Sequence, residues 1–378
     1  MLRKAVSLAV SRSAKPNELL LVERSKNLRA FAGMFAFPGG VVDEDDKTVL
    51  VSGEKDPEVA LSIVTGAREL FEETGIWLGR GSLPPSKTVL DADRRRLLAQ
   101  EISIQEILVK YGQYLDARDF QPFCRLKTPP FSPICFDTVF LRCLVDEEAK
   151  VDIWEGELVG GSFVEPTNTL EQWRQGRLQI APPMIMFLKE WSSGHRGAEQ
   201  RICEISDSYH RGNLPRIYFT PGILLVPLKT PTRLPATHTN TLIVGESVLY
   251  LIDPSPSDPI EQERLWRLLD GLVAEGRTIA GILLTHYHRD HVGALSEMQN
   301  RYKAPAFAHV DCMNELKGAS FGESLSHGDV LNLGTAPDGS SGWALTTYHV
   351  PGHARGHLAF QDTRYGALLV GDLVSSLS

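Results

Sequence analysis

Arg68-Glu69-Leu70-Phe71-Glu72-Glu73-Thr74-Gly75-Ile76 closes a stretch of helical periodicity in which Ala60, Ile63, Val64, Ala67 and Leu70 recur at spacings of three and four. Pro57 at the start and Gly75 just past the end are the punctuation expected of a helix. On it Glu69, Glu72 and Glu73 stand at i, i+3 and i+4 and crowd one face, while Leu70 turns with Ile63 and Ala67 toward a core. Like charges at this spacing cost about 0.2–0.5 kcal/mol per pair, and acids in a last turn oppose the helix dipole by about 0.3–1 kcal/mol each. A helix selected for stability alone would not carry them. A divalent cation with a preference for oxygen ligands, Mg²⁺ or Mn²⁺, would offset the repulsion and bridge the carboxylates to phosphates of a substrate. Arg68 supplies an internal cation that can orient one of the glutamates. The plainer alternative is a solvated acidic face.

Upstream, a Gly/Pro loop ends at Phe37-Pro38-Gly39-Gly40. With these glycines the segment resembles the core of the Nudix box, arginine-glutamate-aliphatic-any-glutamate-glutamate-any-glycine-aliphatic. The resemblance implies that Glu69, Glu72 and Glu73 are metal-binding and catalytic acids, with Arg68 as their orienting catalytic partner, in hydrolysis of a diphosphate linked to another moiety. The family's box has a glutamate in the loop after its first glycine; here Asp46 stands at that spacing from Gly40, and an insertion follows, so Asp46 or Glu58 is expected in that role. Leu20-Leu21-Val22-Glu23-Arg24-Ser25, then Arg29, Gly33 and Phe37-Pro38-Gly39-Gly40, resemble the signature that precedes the box in coenzyme A diphosphatases. Arg24 and Arg29, with Gly39 and Gly40, are therefore expected to bind substrate, since guanidinium forks grip phosphate oxygens. Two surface arginines are the alternative.

A second constellation lies near the other end. The strand-like run to Thr285 delivers His286-Tyr287-His288-Arg289-Asp290-His291, and Pro351-Gly352-His353 and Gly371-Asp372 follow. His286 and His288 alternate by two and can point the same way from a strand end. Imidazoles with carboxylates suit Zn²⁺, although Fe or Mn could also be held. The set resembles the metallo-β-lactamase superfamily over roughly 217–377. By that resemblance His286, His288 and His353 bind one metal, Asp290 and His291 a second, and Asp372 bridges them; Asp290 counts among the catalytic residues. Asp253 and His357 are expected to support ligands without holding metal. A bound ion would lower the pKa of water from about 15.7 toward about 7 for attack on a carbonyl or phosphoryl centre. The family's last histidine ligand lies several tens of residues beyond the bridging Asp, so the second site is expected to lack a ligand, and the chain is expected to be a fragment of a longer one.

The length of 378 residues suits two domains. Hydrophobic content of 42% and charged content of 23% are those of folded chains. A net charge of −8 argues against an extended nucleic-acid footprint. The five cysteines, Cys124, Cys135, Cys143, Cys203 and Cys312, show no paired spacing and read as free thiols of a reducing compartment. The basic start is too short in apolar length for a signal peptide and reads as a strand, a mitochondrial leader being the lesser alternative. No segment approaches a membrane helix, so a cytoplasmic protein is expected.

The organisation expected is a Nudix α/β/α sandwich over 1–195, a linker over 196–215 and a metallo-β-lactamase αββα sandwich lacking its C-terminal part over 216–378. Strands are expected at Ala5–Val10, Glu18–Val22, Phe136–Leu144, Gly160–Val164, Ile217–Leu228, Thr241–Ile252, Ile279–Thr285 and Ala367–Val370. Helices are expected at 57–75, within Leu90–Tyr114, and at Thr167–Gln175, Pro183–Trp191 and Asp258–Glu275. The function expected is a two-part hydrolase of small molecules, the first half acting on coenzyme A or acyl-coenzyme A and the second on an ester or thioester. A binding or scaffold protein, or a ribonuclease in the second half, are the alternatives.

Overall fold

A computed structural model describes residues 2–374 apart from 29, 82–84, 130, 131 and 133, and all elements are counted among these. The expectation for Arg29 lies outside the described residues. The chain forms two compact units, Met1–Gln172 with Leu178–Asp207, and Trp173–Arg177 with Ser208–Ser378.

The first unit runs β1 (Leu2–Arg12), β2 (Leu19–Arg24), β3 (Phe35–Ala36), β4 (Gly39–Val41), β5 (Val51–Ser52), α1 (Pro57–Thr74), β6 (Arg80–Gly81), α2 (Lys87–Leu98), α3 (Ile104–Lys110), β7 (Gln113–Asp116), β8 (Phe120–Lys127), β9 (Cys135–Val145), β10 (Leu158–Val164), α4 (Pro166–Arg174), α5 (Pro182–Ser192) and α6 (Ala198–His210). Its main sheet has the order β4-β1-β9-β8, with β1 and β9 parallel and the outer strands antiparallel to them; β10-β2-β3 forms a second sheet. The apolar stripe of α1, Ile63, Val64, Ala67 and Leu70, packs into one core with Val6, Leu8 and Val10 of β1 and Leu141 of β9. Each such fully buried side chain contributes about 1.5–3 kcal/mol. Asp56 caps α1 by accepting from the backbone of Glu58 and Val59, and Gly75, left-handed at φ 72°, ends it. This buried stripe fixes the rotation of α1 and so decides where its acidic face points.

The linker expected over 196–215 is corrected. Most of that span is α6, whose Ala198 and Ile202 are fully buried. Glu199 pairs with Arg142 at 3.3 Å and the Ser206 hydroxyl donates to the Arg125 carbonyl at 2.7 Å. The helix is anchored by a few small or polar residues whose partners are distant in sequence, and that sparse apolar pattern read as a linker. Strand β8 also escaped the sequence reading.

The second unit continues with β11 (Ile217–Thr220), β12 (Ile223–Lys229), β13 (His238–Val244), β14 (Val248–Ile252), α7 (Pro259–Ala274), β15 (Thr278–Leu283), α8 (Arg289–Val292), α9 (Leu295–Tyr302), β16 (Ala306–Phe307), α10 (Val310–Glu315), β17 (Val330–Gly334), β18 (Trp343–His349), β19 (Leu358–Asp362) and β20 (Leu368–Leu369). Strands β11 to β16 form one six-stranded sheet in sequence order and β17 to β20 a second. Ile223, Val244, Ile252 and Leu283 from the first share a core with Leu333, Trp343, Leu345 and Phe360 from the second, so the sheets pack as a sandwich. Two runs expected as single strands, 217–228 and 241–252, are hairpins, turning at Pro221-Gly222 and near Gly245. Among the described residues no helix is long and apolar enough to cross a membrane.

Candidate metal centres

In the first unit, β4 passes the last turns of α1 at a distance only glycine allows. A Cβ on Gly40 would stand 2.5 Å from the Glu69 carboxyl carbon, and one on Gly39, at φ +149°, 2.7 Å from the Cα of Ser7. The Gly39 amide donates to Glu73 Oε2 at 2.9 Å. Gly39 is thus wedged against β1 with its amide on Glu73, and the bare Cα of Gly40 leaves room for the Glu69 carboxylate.

Arg68 gathers the rest. Its Nη1 donates to Glu69 Oε1 at 3.0 Å and Glu72 Oε2 at 2.9 Å, and its Nη2 to the Val41 carbonyl at 2.8 Å. Its Nε and Nη2 also donate to the two carboxylate oxygens of Asp46, at 2.8 and 3.1 Å. Asp46 is buried and accepts further from Thr65 Oγ1 at 2.8 Å and the Asp43 amide at 2.9 Å. Of the two residues expected as the loop acid, Asp46 is brought to the cluster, where it holds Arg68. Glu58 is not: it is exposed in the first turn of α1 and pairs with Lys4 at 2.8 Å.

Burial pushes the Glu69 carboxyl up to about 7 against the pull of Arg68, with Glu72 adding repulsion. Burial likewise raises Glu72 against Arg68, and raises Glu73 well above the usual range, with Glu69 adding to it. The Arg24 cation is close enough to oppose the rise at Glu73; its Nε donates to the Ala30 carbonyl at 3.3 Å. Three buried or half-buried carboxylates thus share the Arg68 guanidinium, and a fourth, Glu73, is met by the Gly39 amide and the more distant Arg24 charge. A hard divalent cation fits this oxygen-rich, under-compensated set.

In the second unit, β15 ends at Leu283 and the following turn presents His286 and His288, while His353 arrives on the loop between β18 and β19. One ring nitrogen each of His286, His288 and His353 lie within 4.8 Å of one another, and so do donor atoms of Asp253, His286 and His291. Among the described residues these are the two groupings of three donors so close; the helix glutamates of the first unit are spread more widely.

Asp253 arranges the histidines. Left-handed at φ 50°, it accepts from the Thr285 amide at 2.7 Å, the Thr285 hydroxyl at 2.6 Å and His291 Nδ1 at 2.8 Å. With its proton committed to Asp253, the Thr285 hydroxyl accepts from His286 Nδ1 at 2.9 Å. His286 then presents an unprotonated Nε2 to the cluster, buried without an aligned hydrogen-bond partner among the described residues, whereas His291 Nε2 faces the Asp372 carboxylate. His353 Nε2 faces His288 Nδ1 at 2.9 Å. Nitrogen lone pairs converging in this way fit a borderline-soft ion such as zinc. Asp253 thus joins the Thr285 turn to His291, and Thr285 is the contributor that sequence reasoning missed.

Asp372 is brought in as well: its oxygens lie 3.1 Å from His291 Nε2 and 3.5 Å from His353 Nε2. Asp290, in the short α8, belongs to neither close grouping. His357 is buried with both ring nitrogens unpartnered among the described residues. Burial and the neighbouring His291 push His286 down to about 2. Burial also works against protonation of His291, but the Asp253 and Asp372 carboxylates outweigh it and push that ring up to about 10.

A cation-poor acid helix held by one arginine, and a histidine cluster gathered from both sheets of the second unit, are two separate donor sets. Residues 1–178 match the NUDIX domain and residues 234–378 match the metallo-beta-lactamase superfamily. Curated relatives include a hydroxyacylglutathione hydrolase from Bdellovibrio bacteriovorus, 29% identical over 33% of this chain and 43% of its own length. Another, from Dechloromonas aromatica, is 35% identical over 32% of this chain and 38% of its own length. The chain thus spans less than half the length of these two relatives. A solved NUDIX hydrolase from Alicyclobacillus acidocaldarius is 26% identical, covering 52% of this chain and 96% of that one, with a TM-score of 0.43.

Proposed function

We propose that the chain is a two-part metallohydrolase whose NUDIX half cleaves the diphosphate of a nucleoside diphosphate derivative, coenzyme A or its acyl thioester, and whose second half hydrolyses an ester or thioester with zinc. The observation that carries the reading is the pair of donor sets, carboxylates around Arg68 and imidazole nitrogens around Asp253, each chemically matched to a different ion. Mg²⁺ or Mn²⁺ at the first and Zn²⁺ at the second would supply Lewis acidity and acidify water. Arg68 fixes Glu69 and Glu72, and the Gly39 amide fixes Glu73. Glu69, with its carboxyl near neutrality, can take a proton at Oε1 or Oε2. Arg24 stands close enough to that cluster to meet phosphate charge. Water would add at phosphorus and the bridging oxygen would leave, giving phosphopantetheine and an adenosine bisphosphate.

In the second half His286, His288 and His353 would hold one ion; His291, Asp290 and Asp372 would serve a second. Hydroxyacylglutathione hydrolases among the relatives support a thioester as substrate class. The test is product analysis of the full chain with coenzyme A and Mg²⁺, and with a hydroxyacylglutathione and Zn²⁺. Glu72→Gln should abolish only the first activity and His288→Ala only the second, each by about 10²-fold or more. Turnover of other nucleoside diphosphate derivatives but not coenzyme A would remove the substrate assignment. Binding without turnover, unaffected by either change, would leave a scaffold.

A further inference from the structure

The helical pair α2–α3 lies outside the acid helix in sequence, yet it reaches the backbone of that helix at the catalytic turn. Arg94 of α2 is fully buried. Its Nε and Nη2 both donate to the backbone carbonyl of Glu72, at 3.1 and 2.9 Å, and its Nη1 donates to the Asp152 carbonyl at 2.9 Å. The guanidinium lies over the Trp154 ring, 4.0 Å from its centroid. No carboxylate forms a hydrogen bond or ion pair with it among the described contacts, so its partners are carbonyl dipoles and an aromatic face.

A cation buried without a paired anion is costly unless its environment uses the charge. Here the carbonyls at the C-terminal end of α1 carry the negative pole of the helix, and three glutamates project from its last two turns. The other last-turn acceptors are met within the helix end or by backbone: the Thr74 hydroxyl donates to the Leu70 carbonyl at 2.6 Å, the Gly75 amide to Phe71 at 2.9 Å and the Asp152 backbone amide to Thr74 at 2.9 Å. Glu72 alone among these depends on a side chain from another helix. The space exists because position 75 is glycine: a Cβ there would stand 3.1 Å from Arg94 Nη1. The apolar side of α2 and α3, Leu97 and Ile107, packs on Phe71 of α1. Asp93, next to Arg94, ties α2 to α3 by accepting from Lys110 Nζ at 2.8 Å and from the Tyr111 hydroxyl.

We infer that Arg94 is a positioning residue for Glu72: by holding the Glu72 carbonyl from a docked helix, it sets the register of the last turn and hence the place of the carboxylate relative to Glu69 and Arg68. The inference rests on the reading of α1 as a divalent-cation site, which the wild-type chain tests first: Mn²⁺ binding that Glu72→Gln abolishes defines the site, and its absence defeats that reading before Arg94 is reached. With the site so defined, Arg94→Met, which nearly keeps volume and removes all three donors, should weaken that Mn²⁺ by roughly 10–100-fold. It should also lower kcat for diphosphate cleavage while leaving KM within about twofold, since no substrate-contacting group has changed. Arg94→Lys should restore part of the loss. Asp93→Asn is the comparison, because it loosens the same helix without touching the Glu72 carbonyl. A folded Arg94→Met with wild-type Mn²⁺ affinity would overturn the inference, and so would Asp93→Asn weakening Mn²⁺ equally at a matched drop in Tm. Should Arg94→Met not fold, Arg94→Lys carries the same comparison, with a smaller weakening expected and none overturning it.

Discussion

The Arg68 guanidinium meets Asp46 edge to edge, Nε on Oδ1 and Nη2 on Oδ2, with the Asp46 side chain wholly buried and that of Arg68 nearly so. This pairing ties the loop after β4 to the acid helix. Removing Asp46 would leave Arg68 buried with Glu69, Glu72 and the Val41 carbonyl as its remaining partners, and without the carboxylate that fixes its Nε edge. Asp46→Ala is expected to cost about 3–5 kcal/mol in stability, the usual penalty for breaking a buried pair. Diphosphate cleavage should fall with it even at temperatures where the protein remains folded, and denaturant midpoints with kcat on the same sample check both. Unchanged turnover in a folded variant would mean that Arg68 needs no such anchor.

Gly40→Ala addresses the acids from the other side. The added methyl would overlap the Glu69 carboxylate, which must then leave its place beside Arg68. The expected outcome is loss of Mg²⁺-dependent diphosphate cleavage with the zinc-dependent activity retained. Parallel assays on one preparation distinguish this from global misfolding.

For the second unit, Thr285→Val removes the hydroxyl that joins Asp253 to His286 Nδ1 while preserving shape. Zinc affinity should drop by about 10–100-fold, the usual effect of losing an outer partner of a ligand. Competition with a chromophoric chelator reads this directly, and an unaltered affinity would show that the ring is oriented by packing alone.

The pair Arg125–Asp137, with contacts at 2.6 and 2.8 Å, gives a pH prediction. The Arg125 hydrogen bonds hold the Asp137 carboxyl below its ordinary 3.8. A carboxylate depressed on folding adds stability above its unfolded pKa of about 3.9, and that contribution disappears as pH falls through the lower, folded value. Arg125 is 45% exposed, so screening keeps the contribution below about 1 kcal/mol. Asp137→Asn should lower stability at pH 7 by up to about 1 kcal/mol and leave it nearly unchanged in strong acid, flattening the acid limb; denaturant midpoints across that range check it, and an unchanged midpoint at pH 7 would show that the pair contributes nothing.

The acid helix was legible because its evidence is local: a stripe at spacings of three and four, a proline, a glycine and three acids, all within one segment. The histidine turn was legible for the same reason. What the sequence hid was relation across distance. Asp46 could be proposed but not separated from Glu58, since which of them meets Arg68 depends on how the loop after β4 folds back. Helix α6 has too few apolar residues to show a face, its anchors being Arg125 and Arg142 in other elements. Arg94 looked like one member of a run of arginines, and Thr285 like the end of a strand. Only the packing of α2 on Phe71 and of the turn on Asp253 gives either residue its partner.

His288 follows a strand of the six-stranded sheet, whereas His353 belongs to a loop of the four-stranded one, and their ring nitrogens stand 2.9 Å apart. An ion captured between them would cross-link the halves of the sandwich, so that the free concentration of zinc becomes a variable of state for folding. Above the dissociation constant, each tenfold increase should add about 1.4 kcal/mol to the stability of this unit, through mass action alone.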